Sequence, residues 1–128
     1  MGQPAAAQGD RVVGTDTHLV VVGTAPPAPN PLPFAGVLDG NLSADVRVGG
    51  RAAAVAGSTA TNTPPHVPPG GTFVRPPTNR AVVQSGSTSV RINGKPAARA
   101  GDPALTCNDP DDLPVGSIVA LSTVRIGG

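Results

Sequence analysis

The string Ile92-Asn93-Gly94-Lys95-Pro96-Ala97-Ala98-Arg99-Ala100-Gly101-Asp102 occurs more than once in this chain, in degraded form. Forty-four residues earlier it meets Val48-Gly49-Gly50-Arg51-Ala52-Ala53-Ala54-Val55-Ala56-Gly57-Ser58 without a gap. Ninety-two residues earlier its second part meets Gly2-Gln3-Pro4-Ala5-Ala6-Ala7-Gln8-Gly9-Asp10. The opening part returns at the other end, where Val124-Arg125-Ile126-Gly127-Gly128 matches Val90-Arg91-Ile92-Asn93-Gly94. The sequence thus enters one unit half-way and leaves the same unit half-way. Three units are expected to close on one another when the two ends meet. Internal periodicity of this kind constrains architecture before any single residue does.

The repeat matters because composition alone points elsewhere. With 17 Gly and 16 Pro among 128 residues, and Val, Ala, Leu and Ile as nearly all of the apolar set, disorder is a real alternative. A disordered tail has no reason to keep three units in register, so a folded chain is expected. Its core must be thin, since small side chains bury little area at about 25 cal/mol per Å², and a chain this short forms a single domain. Residues 1–128 are read as that domain, with repeat corners near 2–18, 46–66 and 90–107 and the terminal repeat completed by 118–128.

Helix is disfavoured, because Pro or Gly interrupts every candidate window of ten residues. Val46-Arg47-Val48, Val90-Arg91-Ile92 and Val124-Arg125-Ile126 alternate apolar and charged residues at matching repeat positions, which reads as half-buried strand. The first two run into Gly49-Gly50 and Asn93-Gly94, both hairpin-turn dipeptides. The Ala-rich stretch that follows suits backbones packed closely about an axis. Leu19–Val22, Ala81–Val83 and Ser117–Leu121 supply further strands, with a short one at Gly36–Leu38. Two Pro-rich connections, 24–45 and 61–79, are expected to be extended and stiff. The fold class is therefore all-β: three short-stranded repeats related by pseudo-threefold symmetry, with long Pro/Gly-rich loops.

Each corner is followed by one metal-competent side chain. His18 lies eight residues after Asp10, His66 eight after Ser58, and Cys107 five after Asp102. Threefold symmetry would bring all three to one point, where imidazole and thiolate favour Zn²⁺ and, less well, Fe²⁺. A fourth donor is open between Asp16, Asp102, Asp109 and water. Asp10 and Asp102 suit a turn-fixing role, through side-chain bonds to backbone N–H groups. Asn108–Asp112 lacks the spacing of a known calcium loop. A thin core gains much from a metal staple.

Other functions find little support. A net charge of +1, no basic run and two Phe as the only large aromatics leave no footprint for nucleic acid. No apolar window is long enough to span a bilayer, and the first residues do not resemble a signal peptide. One cysteine rules out an intrachain disulfide and fits a reducing compartment. Cys107 with either His could be imagined as nucleophile and base, yet no oxyanion-hole motif accompanies them, so no enzyme is expected.

Pro96-Ala97-Ala98-Arg99, set between Ile92–Lys95 and Ala100–Asp102 and accompanied by two degenerate copies, resembles the signature of the PAAR-repeat family. The resemblance covers Gly2 to Gly128 and implies a small β-rich cone. Such a cone caps the trimeric valine-glycine-repeat spike of type VI secretion systems and related phage-like contractile injection particles. It implies a zinc-braced point, with His18, His66 and Cys107 matching the ligand-bearing segments. Family sites commonly use three His and one Cys, and this chain has two His. The copy at 52–55 has lost both Pro and Arg, and that at 4–7 has lost Arg.

Further expectations are a non-enzymatic tip, with no appended toxin domain because the sequence ends at Gly128 within the third unit, made in the bacterial cytoplasm and assembled at the spike apex. From there it is delivered to the target or the extracellular space, touching the target membrane transiently. Arg47, Arg91 and Arg125 are candidate spike contacts. Two alternatives stand beside this reading: an effector adaptor acting through the Pro-rich loops, and a stand-alone metal-binding domain.

Overall fold

The computed structural model describes residues 2–127, and none of them is helical. Thirteen strands follow in order: β1 (Gln3–Pro4), β2 (Arg11–Val21), β3 (Ala28–Gly40), β4 (Arg47–Val48), β5 (Arg51–Ala52), β6 (Thr59–Asn62), β7 (Thr72–Phe73), β8 (Arg80–Val83), β9 (Arg91–Ile92), β10 (Lys95–Pro96), β11 (Pro103–Thr106), β12 (Leu113–Val119) and β13 (Arg125–Ile126).

The repeat is visible in the hydrogen bonds. Ala54 donates to the carbonyl of Ala6, Ala98 to that of Ala54, and Ala6 to that of Ala98, each at 3.0 Å. These three bonds form a ring about a pseudo-threefold axis. Isolated bridges join Ala7 to Ala53, Val55 to Ala97 and Arg99 to Ala5, carrying the same cyclic order around it. Ala6, Ala54 and Ala98 are at most 1% exposed. At this closeness of backbones a larger side chain has no room, which explains the Ala-rich motif.

On one side of the ring stand three small hairpins. Two are continuous, β4–β5 and β9–β10. The third joins the ends of the chain, with Gln3 opposite Ile126 and Pro4 opposite Arg125. The register matches Arg51 opposite Val48 and Lys95 opposite Ile92. Gly49 and Gly50, like Asn93 and Gly94, all have positive φ, as a two-residue turn of this kind requires. Val48, Ile92 and Ile126 meet in a small core with Ala5, Ala53 and Ala97.

On the other side the chain closes a barrel. The strand order β12-β11-β8-β6-β3-β2 is completed by pairing of β12 with β2, so six strands leave no open edge between them. Val12, Phe34, Leu38, Ala60, Ala81, Val83, Ala104 and Ile118 fill it. Glycine allows the tight closure: a Cβ on Gly14 would lie 2.6 Å from the Val115 carbonyl oxygen.

One Pro-rich connection is more regular than its composition predicts. Rather than a loop with a three-residue strand, 24–45 contains the thirteen-residue β3, with Pro29, Pro31 and Pro33 at alternate positions. These prolines pair with Leu19, Thr17 and Thr15 of β2. The N–H groups of Thr17 and Leu19 point elsewhere, to Asn108 Oδ1 and Asp109 Oδ2, so no donor is missed where proline stands. Strand β6 pairs with β3 only beyond the prolines, from Gly36 onward.

Candidate metal centre

The corners set the direction of each strand entering the barrel. Asp10 Oδ2 accepts from the Ala7 N–H at 2.9 Å, Ser58 Oγ from Val55 at 3.0 Å, and Asp102 Oδ2 from Arg99 at 2.7 Å. A buried carboxylate here also calls for a cation. Arg99 pairs with Asp102 at 3.0 Å, and Arg51 of the neighbouring unit pairs with Asp10 at 3.1 Å. The third corner is the uncharged Ser58 and needs neither. The uncharged Ser58 accounts for the arginine missing at Val55, and Arg51 stands in for the one missing at Ala7.

Beyond the corners, the barrel strands and the loops that join them carry side chains to one buried cluster. Asp16 and His18 come from β2, Cys107 from just past β11, and His66 from the 61–79 loop. One donor atom from each lies within 4.8 Å of all the others. His18, His66 and Cys107 are thus brought together, and of the four fourth-donor candidates Asp16 joins them. Asp102 stays at its corner. Asp109 lies next door, its Oδ2 3.5 Å from His18 Nδ1.

Asp16 is fully buried and organises the group. Its Oδ1 accepts from the Thr106 hydroxyl and, at 3.4 Å, from the Asn108 amide. Its Oδ2 faces His66 Nε2 at 2.8 Å and accepts from the Cys107 thiol at 3.3 Å. Burial, followed by the neighbouring charge of Asp16 and the hydrogen bond to it, pushes the Cys107 thiol up to about 11. His66 is framed by two asparagines. Asn79 Oδ1 accepts its backbone N–H at 2.8 Å, and the Asn62 amide nitrogen lies 3.3 Å from its Nδ1.

His18 differs. It is 1% exposed, and neither ring nitrogen has a hydrogen-bond partner among the described residues. Each of the chain's two phenylalanines packs against one histidine ring, Phe73 at 5.7 Å from His18 and Phe34 at 6.2 Å from His66 between centroids. A cleft of about 170 Å³ lined by His18, Cys107, Arg75 and Asp109 reaches the cluster.

The PAAR motif family matches residues 35–109 and again 75–128, two overlapping spans each holding a full signature or its copy. The chain belongs to the PAAR-motif family. That family supplies spike tips to contractile injection systems, type VI secretion among them, and is a structural domain rather than a known enzyme family. No curated protein matches the chain. No helix among the described residues is long and apolar enough to cross a membrane.

In this PAAR chain the three equivalent arginines sit at the hairpin end, all exposed. Arg47 donates to the Gly50 carbonyl at 3.2 Å, Arg91 to Gly94 at 3.2 Å, and Arg125 to Gly2 at 3.1 Å. Each guanidinium therefore braces its own hairpin.

Thr106, Asn62, Asn79 and Arg75, which orient the cluster, were not candidates in the sequence, and Asn108 entered only as part of a calcium-like run. Two signals were present: Asn62 and Thr106 each lie four residues past a corner, and Asn108 directly follows Cys107.

Proposed function

We propose that residues 1–128 form the tip domain of a contractile injection spike, seated on a trimeric valine-glycine-repeat protein and pinned at its far end by a metal ion. The ring of Ala6, Ala54 and Ala98 bonds carries this reading. A single chain that surrounds a threefold axis can match a true trimer on one side and close the axis on the other. The hairpin end presents Val46, Val90 and Val124, between 37% and 45% exposed, beside the three arginines. A repeated apolar and basic surface of this kind supports docking onto a threefold partner. Mixing the chain with purified spike trimer should give one chain per trimer by native mass spectrometry. Three chains per trimer, or no complex at all, would refute the cap.

The cluster fits a metal on its chemistry. A carboxylate, two imidazoles and a thiol make a donor set suited to tetrahedral Zn²⁺, with Fe²⁺ second because of the thiolate. Zn²⁺ bonds of 2.0–2.3 Å put neighbouring ligand atoms about 3.3–3.8 Å apart. The 2.8 Å between His66 and Asp16 and the 3.3 Å between Cys107 and Asp16 are hydrogen-bond distances. Those two pairs must widen, and the widest separation in the group, within 4.8 Å, must shorten, to reach the metal geometry. His18, a buried ring without partners, supplies the strongest reason to expect an ion, because an unmet buried polar group costs about 1–3 kcal/mol. When bound, the ion would cross-link β2, the 61–79 loop and the segment after β11.

Elemental analysis of protein purified without chelator should find close to one zinc or iron per chain, and His66→Ala should lower both metal content and melting temperature. Metal-free protein with an unshifted melting curve after added zinc would remove the metal from the account. The Pro-rich 61–79 segment supplies His66, Arg75 and Asn79, so its first role is to build the tip. Effector docking through it is a second role, and shortening it should cost metal together with cargo.

A further inference from the structure

The two histidines of the cluster are held in different ways, and the difference assigns a role to Asp109. Asn62 Oδ1 accepts the Ala35 N–H at 2.9 Å, which turns its amide nitrogen toward His66 Nδ1 at 3.3 Å and toward Asn79 Oδ1 at 3.2 Å. A nitrogen that accepts from an amide carries no proton, so neutral His66 keeps its proton on Nε2, where it meets Asp16. His18 has no such donor near it. Its Nδ1 instead faces the Asp109 carboxylate, 3.5 Å away and 4% exposed.

Asp109 is itself fixed on both oxygens. Its Oδ2 accepts the Leu19 N–H at 2.8 Å, and its Oδ1 pairs with Arg75 at 3.0 Å. Arg75 also donates to the Asn108 carbonyl at 2.8 Å, and its side chain is 56% exposed. A carboxylate this constrained cannot readily swing in to become a ligand. It stands where a metal-bound histidine usually places the carboxylate that receives its second ring N–H.

We propose that Asp109, clamped by Arg75 and the Leu19 N–H, is the positioning residue that holds the proton of His18 on Nδ1 and leaves Nε2 as the metal-ligating atom. His18 is then set for the metal beforehand, whereas His66 must move its proton from Nε2 to Nδ1 and turn Asn62 to bind. The proposal rests on the metal reading above and adds an order to it: His18 is the ready ligand, His66 the one that adapts.

The test uses the full chain with Zn²⁺ alone. Zinc affinity is measured by chelator competition for the wild type, Asp109→Asn, Asp109→Glu, Arg75→Ala and Cys107→Ser, and long-range ¹H–¹⁵N correlation on the zinc-loaded wild type reads which His18 nitrogen is protonated. Asp109→Asn should weaken zinc binding about 10–100-fold, the usual cost of removing such a partner. Asp109→Glu should recover part of that loss, Arg75→Ala should weaken binding less, and His18 Nδ1 should carry the proton. Coordination of His18 through Nδ1, or zinc affinity in Asp109→Asn equal to wild type while Cys107→Ser loses zinc, overturns this proposal and leaves the metal reading standing. A folded wild type that binds no zinc overturns both. The NMR readout on the wild type does not depend on any variant folding.

Discussion

Cys107 is buried against Asp16, and its thiol, held up to about 11, is neutral across the physiological range. Two outcomes follow at this scale. In metal-free protein the folded state holds the thiol's proton more tightly than the unfolded chain, whose thiol titrates near its ordinary value of 9.0. The stability from the neutral thiol is therefore complete below about pH 9 and is lost as pH rises from there through about 11. Melting temperature measured against pH should fall over that window in the wild type, and less steeply in Cys107→Ser. Metal binding needs the thiolate, so zinc affinity should rise about tenfold per pH unit below that window, from the one proton released. A pH-independent affinity would mean that Cys107 is not a ligand. The three candidate ligands were legible in the sequence because each follows a corner. Asp16 stayed one of several carboxylates, because only the Thr106 and Asn108 bonds show which one is held at the centre.

The hairpins show how far a repeat element can drift and still fold. In two units a serine three residues before the strand valine caps the turn. Ser43 accepts from Val46, and Ser87 from Val90. Each also donates to the turn of the next unit, Ser43 to Asn93 Oδ1 and Ser87 to the Gly127 carbonyl, both at 2.5 Å. The equivalent residue of the third unit is Leu121, 89% exposed, and Ser122 takes over the cap of Val124. One link of an inter-unit ring is therefore missing, the one that would reach the turn at Gly49. Leu121 faces solvent where Ser43 and Ser87 are buried, so Leu121→Ser should leave the melting temperature within about 2 °C of the wild type in calorimetry. A larger rise would show that a serine there reaches the turn at Gly49. Strand β3 was harder to read. Proline normally argues against strand, and the short apolar run at 36–38 was the visible part. The alternate spacing of Pro29, Pro31 and Pro33 keeps every missing donor on the edge turned away from β2, a pattern that makes sense only once β2 lies beside it.

At the scale of the molecule, the axis divides the protein into a hairpin end and a barrel end, and the Ala6, Ala54 and Ala98 ring holds the two together. Nothing larger than a methyl group fits there. Ala98→Leu should lower stability by about 1–3 kcal/mol through overpacking, seen as a lower urea midpoint, and should weaken spike binding in proportion to unfolding rather than through lost contacts. A variant as stable as the wild type would mean that the backbones at the axis are looser than the 3.0 Å bonds indicate. The two Pro-rich segments differ in what they do for the whole. One becomes a barrel strand, and the other wraps the far end and delivers His66 and Arg75 to it.

The repeat in the sequence determined the threefold plan, the joining of the two ends and the hairpin turns, because each depends on local spacing and on backbone freedom written into Gly, Asn and Ala. Closure of the barrel, the choice of Asp16 over Asp102 and Asp109, and the pairing of each histidine with its own polar partner were decided only by the tertiary structure. They depend on which side chains from distant strands share a buried volume, and in that volume an unmet donor or charge costs more than any local preference supplies.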